Sequence, residues 1–153
     1  MTDKELWNEY LASIEEKSLE MQYESWAFGC NPDELAKLVL DGIKTATASA
    51  YAMYEYENEE IPKEGSYNVI LNSKEEAICI IKTTKVYIEE FKKVSADHAY
   101  KEGEGDRSLA YWRKVHQEFF TECLKEIGME FGEDMKVVCE EFEVIFRKTR
   151  RIN

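Results

Sequence analysis

The stretch Gly42–Ser49, GIKTATAS, marks where a predicted helix gives way to a predicted strand, and the division of the chain follows from it. Residues 31–41, NPDELAKLVLD, combine an N-capping asparagine, a proline suited to the first helical position and apolar side chains at helical spacing. Gly42 stands where a left-handed residue closes a helix. Residues 45–52 are rich in threonine and small side chains, which favours a strand. Lys44 therefore lies at the junction of the two elements.

Apolar periodicity divides the rest of the chain into further helices and strands. We expect helices at 4–19, 96–102 and 107–127, and strands at 66–72, 77–91 and 136–146. Around Glu140–Glu141 the alternation of apolar residues changes phase, which predicts a bulge in the last strand. No linker or repeat interrupts residues 1–153, so we expect one domain. The order is typical of an α+β fold, with a small β-barrel of mixed strands flanked by helices.

The charge balance limits the classes of ligand. The formal net charge is −12 over 153 residues, so the average surface repels polyanions. This disfavours a protein that coats nucleic acid through a broad basic face, but it is compatible with a small basic pocket for one nucleotide. The basic tail RKTRRIN (147–153) would either contact phosphates or be a solvated end.

Cysteine usage and the lack of long apolar runs indicate the compartment. The chain has four cysteines, at Cys30, Cys79, Cys123 and Cys139. They form no C-x-x-C pair, and neither histidine lies near them in sequence. We expect buried free thiols in a reducing compartment and no zinc cluster or other metal site. Residues 1–10 contain no apolar signal core, and no run approaches the ~20 residues of a membrane span. A cytoplasmic protein without membrane contact is therefore expected.

Lys44 and the threonines after it admit two interpretations. Lys44 is either a solvated cation at a helix C-terminus or a pocket lysine that acts as a base or binds an oxyanion. Thr45 and Thr47 are either β-branched strand residues or hydroxyls that serve as hydrogen-bond donors or a nucleophile. In a regular strand the two threonines share one face and Lys44 points to the other. Lys44 and Thr47 can converge only if the backbone bends between them.

The loop HAYKEGEGDRS (98–108) concentrates carboxylates and glycines before the long predicted helix. Such charge runs are usually solvated. Here Glu102, Glu104 and the neighbouring Arg107 could instead supply an acid, a base or a group that orients a lysine.

Four aromatic or imidazole side chains also have alternative roles. Trp112 and His116 lie one helical turn apart and share a face, which is typical of core packing and of a hydrogen-bonded core histidine. Trp26 and Phe28 fall in a predicted loop, where they would either pack beneath it or stack on a base.

These segments together resemble the ASCH domain family over about residues 24–147. The resemblance lies in WAFGCNPDELAKLVLDGIKTATAS (26–49), EGEGDRS (102–108), WRKVH (112–116) and VVCEEFEVIF (137–146). It implies a β-barrel of the PUA-like superfamily, with the N-terminal helix packed on it. Such folds commonly bind RNA or modified nucleosides, so these are the expected partners.

The resemblance also implies a catalytic set. Some members are small amidohydrolases that remove the acetyl group from N4-acetylcytidine with a lysine, a threonine three positions later and a glutamate on the later loop. Carried over by motif, these are Lys44, Thr47 and Glu102, with Glu104 as the alternative acid. Lys44 would deprotonate Thr47 for attack on the acetyl carbonyl, and Glu102 would hold the lysine or shuttle protons. No metal or other cofactor is implied.

This chain is longer than those amidohydrolases, and its extra helices would narrow the pocket or serve a homodimer. The residues expected to bind substrate are Trp26, Phe28, Thr45, Ser49, Glu104, Arg107, Trp112 and His116. Metal-independent amide hydrolysis on a cytidine-like nucleoside is the first hypothesis. A non-catalytic RNA- or nucleotide-binding module is the alternative, and a ribonuclease that uses His116 and Lys44 is a second one.

Overall fold

A computed structural model describes residues 1–14 and 21–147. The helices are α1 Asp3–Ser13, α2 Pro32–Leu40, α3 Tyr51–Glu57, α4 Ala96–Glu102 and α5 Leu109–Glu126, with a 3-10 turn at Phe91–Lys93. The strands are β1 Tyr23–Ala27, β2 Ala46–Ala50, β3 Tyr67–Leu71, β4 Ala77–Glu90 and β5 Lys136–Arg147. Among these helices none combines the length and apolar character that crossing a bilayer requires.

The five strands form one curled sheet in the order β1-β3-β4-β5-β2. Strands β1 and β3 pair in parallel, and the other pairs are antiparallel. The long β4 and β5 pair over most of their length and form the centre of a half-barrel. The predicted α+β fold with a PUA-like barrel is confirmed.

Helices cover both faces of the sheet. Cys139 belongs to the core cluster beneath α5, together with Phe120 and Trp112. Phe142, which strand alternation turns to the opposite face, belongs to the cluster beneath α2 with Val39. Helix α1 packs on β3 and β4 through a third cluster of buried side chains, which includes Leu6, Trp7, Tyr10, Val69 and Ile80. We call the α2 face, with its strand residues Trp26, Phe142 and Val144, the inner face.

Several helix ends follow the local sequence signals, but the predicted cap of α2 does not form: Asn31 has φ +47°, and its side chain makes no capping hydrogen bond. Thr2 caps α1 by accepting from the Glu5 amide at 3.1 Å, and Ser95 caps α4 by accepting from the His98 amide at 3.0 Å. Gly42 has φ +76°, as expected of the residue that closes α2. The predicted N-terminal helix is confirmed over Asp3–Ser13, and its residues 15–19 lie outside the described part of the chain.

Two local predictions are wrong. The strand expected at 45–52 ends at Ala50, and the next seven residues form α3. Trp26 lies in strand β1 rather than in a loop, because a short edge strand is defined by its parallel pairing with β3, more than 40 residues away. Both errors concern segments of five to seven residues whose state depends on non-local partners.

The predicted bulge occurs at the expected level of the sheet but on another strand. β5 pairs regularly with β2 through Glu140 and Glu141. The register of β4 against β5 instead shifts between Thr83 and Lys85, which leaves Thr84 as the extra residue. At the level of Glu140 and Glu141 the extra residue therefore belongs to β4. A second register shift, between Ile80 and Ile81, leaves Ile145 as an extra residue on β5, so β5 is irregular as well, but beyond the predicted position.

Candidate functional site

Backbone hydrogen bonds hold the Lys44 segment between α2 and α4. The Ile43 and Lys44 amides both donate to the Leu38 carbonyl, at 2.9 and 3.0 Å. The Thr45 amide donates to the Lys101 carbonyl at 2.7 Å, and the Thr45 carbonyl accepts from the Phe142 amide at 3.0 Å. The end of α2, the end of α4 and the middle of β5 therefore all meet at this segment.

Lys44 is a buried cation, not the solvated lysine of the simpler interpretation. Its side chain is only 1% exposed, and its Nζ lies 2.9 Å from Glu104 Oε2 and 3.3 Å from Glu102 Oε1. The same Nζ lies 5.4 Å from the centre of the Phe28 ring, within cation–π range. The structure thus brings together four residues that the sequence singled out in separate segments.

Glu102 is the centre of this charge cluster. Its Oε2 accepts from His98 Nε2 at 2.7 Å and from Trp112 Nε1, and His116 Nε2 lies 3.4 Å from its Oε1. Burial by itself raises the pKa of the Glu102 carboxyl, but Lys44 and His116 outweigh burial and hold that pKa well below its usual range. Glu102 is therefore an ionised carboxylate inside the protein.

His116 is a packed and fully bonded histidine. Its Nδ1 lies 2.9 Å from the Trp112 carbonyl, and its ring stacks on the Trp112 ring with centres 4.2 Å apart. Burial lowers the pKa of His116, but the Glu102 carboxylate raises it by more, so the pKa lies above its usual value. The core-packing interpretation of Trp112 and His116 is therefore correct, and both side chains also contact Glu102.

His98 was not among the residues proposed for the site. It contacts Glu102 through Nε2 and the Tyr87 hydroxyl through Nδ1, at 3.0 Å from that hydroxyl. The i, i+4 spacing of His98 and Glu102 on one short helix was the sequence signal that could have identified it.

The glycines of EGEGD position the two carboxylates. Gly103 has φ +74°, and a Cβ there would lie 2.5 Å from the Ile43 carbonyl oxygen. Gly105 has φ +60°, and a Cβ there would lie 2.5 Å from the Tyr111 ring. Close backbone approach, not solvated flexibility, explains this pair of glycines.

Arg107 holds the same loop in place. It has φ +65°, donates to the Tyr100 carbonyl at 3.0 Å and to the Ile43 carbonyl at 3.4 Å, and stacks 3.6 Å over the Tyr100 ring. These contacts are to α4 and to the residue before Lys44, so Arg107 has a structural role in this arrangement.

Thr47 does not join the Lys44 cluster. Ala48 and Ala50 of β2 pack in the core cluster beneath α5, so alternation directs Thr47 and Ser49 to the inner face. Thr47 pairs with Glu140, and the Ser49 hydroxyl lies 2.7 Å from the Tyr54 hydroxyl. In the described residues no hydrogen bond joins Thr47 to Lys44. β2 pairs regularly from Ala46 onwards, so the strand itself contributes no bend that would bring Thr47 to Lys44.

The remaining residues proposed for the site lie either on the α4 side of the sheet or on its inner face. The Thr45 hydroxyl donates to the Lys101 carbonyl at 3.3 Å, on the α4 side. Trp26 lies on the inner face, where its Nε1 donates to Asn68 Oδ1 at 2.9 Å and its ring packs edge-on against Phe28. Trp26 and Phe28 thus pack against the core rather than lying free on a loop.

A cleft of about 390 Å³ opens beside the cluster. Its wall includes Lys44, Thr45, Phe142, Val144 and Arg147. This volume lies within the range of ~300–1,000 Å³ that small-molecule sites occupy. Arg147 is the first residue of the basic tail. The rest of the tail, residues 148–153, lies outside the described part of the chain.

One set of side chains has the composition of a metal site. Donor atoms of Glu102, Glu104 and His116 lie within 4.8 Å of one another. The Lys44 ammonium already contacts both carboxylates, and a metal ion there would face a fixed positive charge. The donor set therefore does not fit a metal while Lys44 keeps this position.

The free cysteines are unreactive where they are buried. Cys79 and Cys139 lie in the core, and burial raises the pKa of each thiol to about 12. All four cysteines are free thiols, as expected, but the prediction that they are buried holds only for Cys79 and Cys139, because Cys30 is exposed and Cys123 is partly buried.

Residues 24–146 match the family model described as the ASCH domain. This chain belongs to the ASCH domain family. The ASCH domain of Lactobacillus crispatus JV V101 is 35% identical, with a TM-score of 0.87 and coverage of 94% of both chains. Protein EF3133 from Enterococcus faecalis V583 is 36% identical, with a TM-score of 0.83, over 94% of this chain and 88% of that one.

A more distant structure agrees only in fold. The hypothetical protein PH0355 is 19% identical, with a TM-score of 0.55, over 82% of this ASCH protein and 100% of that chain. Among curated proteins none matches the chain significantly.

Proposed function

We propose that this ASCH protein binds a nucleoside-sized molecule derived from RNA and hydrolyses an acyl amide on its base, as in N4-acetylcytidine. The observation that carries the proposal is the buried Lys44 cation, held by Glu102 and Glu104 on the wall of a cleft of about 390 Å³. A buried ion cluster is costly for folding, and perturbed carboxyl groups of this kind concentrate at functional sites. Family membership supports an RNA-derived ligand, and the net charge of −12 favours a small one.

The contacts suggest distinct roles within the cluster. Lys44 would stabilise the oxyanion that forms when the acyl carbonyl is attacked. Glu102, buried and bonded on both oxygens, would fix the position of Lys44. Glu104 is 23% exposed, so it would exchange protons between the cluster and water. Thr47 would be the nucleophile, in keeping with the family resemblance.

A binding module without chemistry is the second candidate, and a specific observation favours it. The Lys44 ammonium already contacts two carboxylates. Thr47 lies on the inner face of β2, and in the described residues no hydrogen bond joins it to Lys44. In this arrangement Lys44 cannot deprotonate Thr47 directly. The cleft and Arg147 would still serve to hold a nucleotide.

The ribonuclease alternative is less well supported. Both ring nitrogens of His116 are used inside the cluster, one against Glu102 and the other against the Trp112 carbonyl. A general acid or base for phosphodiester cleavage needs a ring nitrogen that can reach the substrate.

The test is an assay of acetate release from N4-acetylcytidine, with binding measured by calorimetry in parallel. We expect turnover by the natural protein and a fall of at least about 100-fold in kcat/KM for Lys44→Met. Lys125→Met, at an exposed position on α5, is the matched control and should keep full activity. Binding without acetate release would favour the second candidate, and the absence of both would overturn both.

A further inference from the structure

A second buried glutamate faces Thr47 from the neighbouring strand. Glu140 of β5 is the register partner of Thr47 in β2. Directly opposite residues of antiparallel strands have Cβ atoms about 4.5–5.5 Å apart and point to the same face. Glu140 and Thr47 therefore share the inner face, whereas Lys44 reaches the cluster on the α4 side. We propose that Glu140 is the general base that activates Thr47, a role that rests on the hydrolysis proposed above.

Glu140 differs from an ordinary structural glutamate in its lack of partners. It is 7% exposed, and in the described residues its carboxyl makes neither a hydrogen bond nor a salt bridge. Buried carboxyl groups are usually bonded, as Glu102 is. Register pairing places the Glu140 carboxyl on the same face as the Thr47 hydroxyl, without a hydrogen bond between them, and contacts between a nucleophile and its base often shorten only when substrate binds.

The groups around Glu140 keep a proton within reach near neutral pH. Burial raises the pKa of Glu140 to about 7, and the Glu24 carboxylate of β1 adds to this increase. Tyr54 of α3 also faces this region, and burial raises its pKa, so it is an uncharged hydroxyl at neutral pH. Cys139 precedes Glu140 in β5, and its thiol is protonated because burial raises its pKa to about 12. A general base works best when its pKa lies near the operating pH.

The pair adjoins the cleft. Phe142 and Val144 follow Glu140 at alternate positions of β5 and line the cleft together with Lys44. Thr47 and Glu140 are not among the residues that line the cleft, so the proposed role requires the acyl group to lie at the Phe142 end, towards Thr47, with its carbonyl oxygen directed to Lys44.

The proposed steps balance in atoms and protons. Thr47 Oγ bonds to the acyl carbon as its proton passes to the Glu140 carboxylate. The C–N bond then breaks, and Glu140 returns the proton to the leaving nitrogen. Water next attacks the acyl-threonine ester, giving one proton to Glu140, and that proton returns to Thr47 Oγ when the ester bond breaks. The sum is one water added across one amide bond, which releases a carboxylic acid and an amine.

The first test is Glu140→Gln, compared with Glu141→Gln on the opposite face of the same strand. We expect Glu140→Gln to lower kcat for acetate release from N4-acetylcytidine by at least about 100-fold, with KM changed by less than about threefold. Glu141 pairs with Lys101 on the α4 side, so Glu141→Gln should keep activity within about twofold. Thr47→Ser should keep part of the activity, and Thr47→Ala should lose it.

The second test is the pH dependence of kcat/KM, because a purely structural role of Glu140 would not shift it. In the natural protein kcat/KM should rise with pH through about 7, as Glu140 loses its proton. Glu24→Gln removes the neighbouring negative charge, so the rise should shift to lower pH. Glu24 is exposed on β1, which keeps this variant folded even if Glu140→Gln is not.

The outcomes separate the two proposals. If the natural protein releases no acetate from acylated nucleosides, the proposed hydrolysis is wrong and the role of Glu140 falls with it. If the natural protein is active but a folded Glu140→Gln keeps more than a tenth of its kcat, only the role of Glu140 is wrong. An unchanged pH profile in Glu24→Gln would overturn that role equally. A one-acetyl mass increase on Thr47 in a rapid quench would support it.

Discussion

Glu102 and Glu140 are both glutamates in the interior of the same small protein, yet their surroundings drive them to opposite protonation behaviour. Burial raises the pKa of each carboxyl. At Glu102 the Lys44 cation and His116 more than reverse this effect, and the pKa falls well below its usual range. At Glu140 burial is reinforced by the Glu24 carboxylate and no cation of the described residues offsets it, so the pKa rises to about 7. The presence of one buried lysine decides which carboxylate is structural and charged and which can exchange a proton.

The largest expected effect comes from removing that lysine. Lys44→Met leaves the Glu102 carboxylate buried without its main counter-charge, and we expect a loss of about 3–5 kcal/mol in the free energy of unfolding. Urea unfolding at pH 7 measures it, with Lys125→Met as the exposed control that should change stability by less than about 0.5 kcal/mol. Lys44→Met combined with Glu102→Gln should recover part of the loss. A loss below about 1 kcal/mol for Lys44→Met would show that the cluster is not tightly coupled.

The next largest effect is a pH dependence of the free energy of unfolding that is caused by Glu140. The folded pKa of about 7 lies above the unfolded value of 4.5, so the stability that protonated Glu140 contributes is complete below pH 4.5 and is lost as pH rises through 7. Relative to Glu140→Gln, the natural protein should therefore lose about 3 kcal/mol between pH 4.5 and pH 8.5. Urea unfolding across this range measures the difference. A difference that does not vary with pH would mean that Glu140 titrates normally.

A smaller effect is expected from the loop that carries the carboxylates of the Lys44 cluster. Gly103→Ala places a Cβ 2.5 Å from the Ile43 carbonyl oxygen at φ +74° and should cost about 2 kcal/mol of stability. Gly132→Ala, where a Cβ meets nothing within 4 Å, is the matched control and should be nearly neutral. Thermal unfolding followed by circular dichroism distinguishes them. Equal melting temperatures for the two variants would contradict the close approach of α4 to the Lys44 segment.

The smallest effect has the opposite sign. Thr83 Oγ1 is buried and makes no hydrogen bond in the described part of the chain, and Thr83 pairs with Phe142 across β4 and β5. Thr83→Val removes an unsatisfied hydroxyl at nearly constant volume, so we expect a gain of up to about 1 kcal/mol. Thr84→Val, at the exposed bulge residue, is the control. A loss of more than about 1 kcal/mol for Thr83→Val would indicate that the hydroxyl has a partner in solution.

Elements with strong local signals could be predicted from the sequence. The cap at Thr2, the left-handed Gly42 and the short helix after Ser95 all depend on residues within a few positions of each other. Strand β1 and helix α3 could not be predicted in the same way. Their states depend on pairing and packing with distant segments, and local propensity was nearly neutral at both.

The site residues also divide into those that the sequence could identify and those that only the packed structure reveals. Residue patterns together with the family resemblance singled out Lys44, Glu102, Glu104, Trp112 and His116, which the structure brings into one cluster. Glu140 was passed over, because in the sequence it is one of several glutamates in an acidic strand. Only its pairing with Thr47 and its burial distinguish it from Glu141 beside it.

By itself the sequence determined the α+β class, the helix ends, the glycine-dependent loop and the alternation that separates Lys44 from Thr47. Those features follow from short-range sterics and from the two-residue period of a strand. The tertiary structure alone decided which charges are buried together, that Lys44 contacts two carboxylates and that Glu140 forms no salt bridge within residues 1–14 and 21–147. These outcomes depend on the dielectric surroundings and distances that the packed sheet and helices create, and no local pattern encodes them.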